Sequence, residues 1–157
     1  MKKILFFLFL GLMASVEANA NAVDITTHSY QKVVKVDKKG KKIIKWDSVK
    51  KAVPGDTIKY VNSVKNNTDK TIENVLVKNK INPNLYYVPN SAKSSKAATI
   101  KFSVDGGKSF DLPKNLYVVK KGKKVPATYK DYNAIEWNIN SIEANKTVNV
   151  EFKAKIK

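Results

Sequence analysis

The chain has 157 residues, no cysteine and a formal net charge of +17, and its 30 basic residues are all lysine. The lack of cysteine excludes disulfides, thiolate metal sites and a lipidated N-terminal cysteine. So positive a chain attracts polyanions, but lysine lacks arginine's bidentate fork, so no specific nucleic-acid recognition is expected and any such binding should be salt-sensitive.

Read from the start, Lys2 and Lys3 precede an almost wholly apolar run from Ile4 to Met13, and Ala18-Asn19-Ala20 follows. Charge, greasy core and small-residue site in that order are the pattern of a secretory signal peptide. The apolar run is well short of the roughly 20 residues a membrane-spanning helix needs. Cleavage is expected after Ala20. Losing Lys2, Lys3 and Glu17 with the leader lowers the net charge by one. The mature chain is expected to be periplasmic or secreted, with no transmembrane segment. Residues 1–20 are thus assigned to the leader, 21–29 to a flexible N-terminal segment and 30–157 to one domain. A chain of this size buries roughly two thirds of its unfolded surface, enough for a core without covalent staples.

Beyond the leader the dominant signal is alternation of apolar and polar residues, the pattern of half-buried antiparallel strands. Val34 with Val36, and Ile44 with Trp46, predict an opening hairpin. Ile58, Tyr60 and Val64 share a parity that Asn62 interrupts. Val75, Val77 and Ile81 mark another strand, as do Ile100, Phe102 and Val104, and then Ile135, Trp137 and Ile139. The last segment is the cleanest: Val148, Val150, Phe152, Ala154 and Ile156 alternate with polar neighbours. Pro54-Gly55-Asp56, Asn66-Asn67-Thr68-Asp69 and Asp105-Gly106-Gly107 supply turns between these runs. The spacing predicts an all-β fold, an antiparallel β-sandwich of about seven to nine strands, with a closed barrel as the competing architecture. Trp46 and Trp137 are both expected to anchor the core.

Several segments carry a family resemblance. Val53-Pro54-Gly55-Asp56-Thr57-Ile58-Lys59-Tyr60, Asn66-Asn67-Thr68-Asp69 and Ile72-Glu73-Asn74-Val75 follow one another as a Pro-Gly-Asp turn, a Tyr-bearing strand, an Asn-rich turn and an Asn-Val strand. Ile81 to Val88, with Pro89-Asn90-Ser91-Ala92, continues the series. Ser103-Val104-Asp105-Gly106-Gly107-Lys108-Ser109-Phe110 and the stretch from Pro126-Ala127-Thr128 through Asp131-Tyr132 to Ile135-Glu136-Trp137 complete it. Together they resemble the single-copy exported form of the bacterial conserved-repeat domain known as domain of unknown function eleven. Glu136 stands where arginine is common in that family. The resemblance implies an immunoglobulin-like sandwich in an exported bacterial protein. It implies no activity, and a fold by itself confers none.

Catalytic chemistry has few residues to work with. His28 is the single histidine, and the carboxylates are scattered over turns and polar faces. No calcium loop, phosphate-binding loop or nucleophile elbow occurs. The expectation is a non-enzymatic protein without cofactor or metal, binding an unidentified protein or anionic envelope component through loops or edge strands.

Lys38-Lys39-Gly40-Lys41-Lys42 and Lys120-Lys121-Gly122-Lys123-Lys124 are identical pentapeptides, each between apolar runs. Glycine at the centre permits the positive φ of tight hairpins. The eight lysines would concentrate positive potential at exposed tips, where lipopolysaccharide phosphates, acidic glycans or nucleic acid could be held. Plain solvated turns in a lysine-rich chain are the alternative, since lysines also guard sheet edges. Asn145 lies in an N-x-T triplet two residues after Glu143 and is a candidate glycosylation site in an expected turn.

Overall fold

The computed structural model describes residues 22–157 and, as backbone, a short strand at residues 14–17. In chain order the strands are β1 (Ala14–Glu17), β2 (Val23–Val36), β3 (Lys42–Ser48), β4 (Thr57–Asn66), β5 (Ile72–Lys80) and β6 (Leu85–Tyr87). They continue with β7 (Lys93–Ser94), β8 (Ala98–Ser103), β9 (Tyr117–Lys120), β10 (Lys123–Pro126), β11 (Ala134–Ile142) and β12 (Thr147–Ile156). One turn of 3-10 helix, Pro113–Asn115, precedes β9.

Two antiparallel sheets face one another. One has the order β1-β5-β11-β8; the other has β3-β2-β4-β12-β6, with β7 also on β12. β9 and β10 form a separate two-stranded sheet. Consecutive strands β4 and β5 lie in different sheets, so the chain closes a sandwich rather than a continuous barrel. The twelve described strands exceed the seven to nine expected, because β6 and β7 are too short to announce themselves by alternation and β1 falls within the segment assigned to the leader.

The core is what the alternation dictates. β4 turns Ile58, Tyr60 and Val64 inward, and β12 turns Val148, Val150, Phe152, Ala154 and Ile156 inward beside them. Val75, Val77, Ile135, Trp137 and Ile139 answer from the other sheet. The Trp137 ring is fully buried, 6.0 Å from Phe152 across the interior. Burying such rings is among the largest apolar contributions a small domain has, about 1.5–3 kcal/mol per large side chain.

Asn62 sits in the inward row of β4 and is fully buried. Its Nδ2 donates to Asn79 Oδ1 of the opposite sheet at 2.7 Å, while its Oδ1 accepts from Thr27 Oγ1 at 2.8 Å. Asn66, also fully buried, accepts at Oδ1 from Thr68 N (2.9 Å) and Thr68 Oγ1 (2.8 Å). Its Nδ2 faces the carbonyls of Lys70, Ile142 and Glu143 at 2.7, 3.0 and 3.1 Å, which ties the β4–β5 turn to the β11–β12 turn.

Two expectations need correction. Residues 23–29 are not a flexible lead-in: they form the first half of β2 and pair with β4 from Val23↔Asn66 onward. Trp46 is not a core anchor. It lies half-buried on the outer face of the six-stranded sheet, because the register puts it on the side of Tyr30 and Lys59, which point away from the opposite sheet. β1 pairs with Leu76–Asn79 of β5 from within the segment assigned to the leader, whereas the expected cleavage point after Ala20 lies outside the described residues.

Candidate functional site: two lysine-tipped hairpins

The two identical pentapeptides both close hairpins, yet they do so differently. In the first, Gly40 N donates to Asp37 O (3.0 Å) and Asp37 N to Lys41 O (2.9 Å), leaving a three-residue loop with Gly40 at φ +79°. The Asp37 carboxylate fixes that loop by accepting from Lys39 N and Lys41 N, each at 2.9 Å. In the second, Lys120 pairs directly with Lys123, so the loop is Lys121-Gly122 with φ +51° and +75°. Positive φ at both central residues is the geometry that matches the twist of two strands most tightly.

All eight lysines of the pentapeptides are exposed. Lys120 is tied down: its Nζ meets Asp131 Oδ1 at 2.8 Å. Burial acts to raise the Asp131 pKa, but hydrogen bonds from Lys120 and Thr128 outweigh it and hold the carboxyl below its usual range. Lys124 Nζ lies 4.7 Å from the centre of the Tyr117 ring. The ammonium groups of Lys38, Lys39, Lys41, Lys42, Lys121 and Lys123 have no carboxylate partner among the described residues.

The hairpins are rooted at one end of the sandwich. Gln31, at the base of the first, donates to Asp56 Oδ2 at 2.7 Å, and Asp56 O accepts from Ile156 N at 2.9 Å. One residue on, the Lys157 ammonium lies 4.4 Å from the Tyr86 ring centre. Lys130, in the loop that follows β10, approaches the same ring at 5.9 Å.

Beyond Gln31, β2 pairs only with β3, so residues 32–46 form a two-stranded arm. The register places Val34 opposite Ile44, Val36 opposite Lys42 and Lys32 opposite Trp46, so these six side chains share one face. That face continues onto the outer side of the sheet. There the Lys59 ammonium lies 5.1 Å from the Trp46 ring and 5.3 Å from Tyr30, with Lys153 5.2 Å from Trp46. Contacts of this kind hold an aromatic plane and a cation together at the surface. Sequence reasoning missed this row, because alternation reports that a strand has two faces and not which of them another sheet covers.

Other expected features fall elsewhere. Asn145 is exposed in the β11–β12 turn with φ +59°, its N–H donating to Thr68 O at 3.1 Å. His28 lies on β2 opposite Val61, beside Tyr30. Among the described residues no three His, Cys, Asp or Glu side chains gather to hold a metal ion, and no helix is long and apolar enough to cross a membrane. A groove of about 400 Å³ is lined by Tyr87, Phe102, Tyr129 and Tyr132 with Pro89 and Pro113, without a charged side chain in its lining. No protein-family profile, no curated protein and no solved structure matches this chain.

Proposed function

We propose that this protein is a non-catalytic interaction module of the bacterial cell envelope, exported by its leader and built on an immunoglobulin-like sandwich. The leader pattern at residues 1–20 and the run of family-like motifs support export and fold type; the antiparallel sandwich agrees with them. One observation carries the functional part: the arm of residues 32–46 pairs with nothing but itself and leaves aliphatic side chains uncovered. A segment that adds little to its own core yet is held in register is available to a partner. A photo-crosslinking residue placed at Val36 should capture a partner in intact cells, whereas one at Thr99, exposed on the other sheet, should not. Equal capture from both positions, or none from Val36, counts against the reading.

A second reading is electrostatic binding of a polyanion, with lipopolysaccharide, acidic glycan or nucleic acid as candidates. Six pentapeptide lysines whose ammonium groups lack a carboxylate partner among the described residues favour it, since their charge is not spent internally.

A further inference from the structure

We propose that the arm of residues 32–46 seats on the surface of an anionic lipid bilayer, its outer face entering the headgroup region. The inference rests on the polyanion reading and narrows its ligand. Between residues 32 and 46 there are seven lysines and one aspartate. Charge alone would suit any polyanion. The aliphatic side chains on the same arm do not: Val34, Val36 and Ile44 share one face and are 54, 63 and 56 % exposed.

A glycan or a phosphate backbone offers oxygens and has no use for such a face. A bilayer surface offers both halves, phosphates for the ammonium groups and an acyl boundary for the aliphatic ones. Trp46 and Tyr30 extend the face toward the sheet with Lys59 and Lys153 at their rings, and amphipathic rings of this type settle at headgroup level. The second hairpin repeats the composition at the same end of the molecule. Val119 is 73 % exposed opposite Lys124, next to Tyr117. Its four lysines complete the arrangement.

The test uses the folded protein with phosphatidylcholine vesicles, with and without phosphatidylglycerol, and with immobilised heparin as a polyanion that has no acyl phase. The protein should bind only the phosphatidylglycerol vesicles, with a blue shift in Trp46 emission that a Trp46→Phe variant lacks. It should also be retained on heparin until salt is raised. Combining Val34→Ser, Val36→Ser and Ile44→Ser should weaken vesicle binding by at least about tenfold and leave heparin retention unchanged. These positions are outside the core, and an unchanged circular dichroism spectrum confirms that the variant is folded. Vesicle binding unaffected by the triple substitution would overturn the inference, as would retention on heparin without vesicle binding; in both cases the polyanion reading stands. Binding to neither matrix removes both.

Discussion

Asn62 occupies a position where an aliphatic side chain would continue the inward row of β4, and its amide instead bridges the two sheets through Asn79. A buried amide is tolerated only when its hydrogen bonds are made, and removing one partner leaves the other desolvated for nothing. Asn62→Ala is therefore expected to destabilise the protein by about 1–3 kcal/mol, read as a lower urea midpoint at unchanged slope. Replacing Asn62 and Asn79 together by leucine should recover part of that loss, because no buried Asn79 amide is then left facing a lost partner and only the half-buried Thr27 hydroxyl gives up its acceptor. The interruption that Asn62 makes in the sequence pattern is thus an inward-facing bond between layers. Asn66, four residues on, plays the corresponding part at the turn, where one side chain satisfies groups from two loops.

At the level of elements, the loop after β8 is organised by Asp105. Its carboxylate accepts from Ser109 Oγ at 2.6 Å, Ser103 Oγ at 2.7 Å, and the N–H groups of Ser109 and Lys108 at 3.0 Å. Those bonds, the Ser109 hydroxyl first, hold the Asp105 pKa well below the usual carboxylate range. A carboxyl with a depressed folded pKa contributes stability above its unfolded value, about 4, and loses it as pH falls through the folded value. Protection of the amides in residues 103–109, measured against the unfolded chain at the same pH, should hold down to about pH 4 and fall only below it. Asp105→Asn should abolish that acid limb; a loop whose protection ignores both pH and the substitution would contradict the assignment. The two pentapeptides make a related point. Five identical residues form a three-residue loop after Asp37 and a two-residue loop after Lys120, since only the first has an acid to collect the Lys39 and Lys41 amides.

For the molecule as a whole, the edge of β5 matters most. Residues 14–17 pair along Leu76–Asn79 and cover backbone groups that would otherwise meet solvent. If export removes the leader after Ala20, that cover leaves with it, and an unpaired edge is a template for another strand. Hydrogen exchange should therefore be faster at residues 76–79 in the processed chain than in the full-length chain, with the β11 side of the same sheet unchanged. Identical exchange in the two forms would mean that β1 protects nothing. The opposite sheet keeps its own edge, β3, among lysines: Lys42 and Lys45 interrupt its apolar residues and oppose pairing between copies.

Sequence alone determined the strand class and most of the interior. The inward rows of β4, β11 and β12 are readable from Ile58, Trp137 and Phe152 outward, because a period of two has a single physical cause when one face is buried and the other wet. It also marked both lysine-tipped hairpins and the Asn145 turn, whose glycines and asparagine adopt the positive φ that such residues allow. Tertiary structure decided which alternating strands are covered. Val34, Ile44 and Trp46 carry the same local pattern as Ile135 and Trp137, but no second sheet lies over them, so they form a surface instead of a core. Burial is a property of what packs opposite a residue, and that partner is distant in the chain.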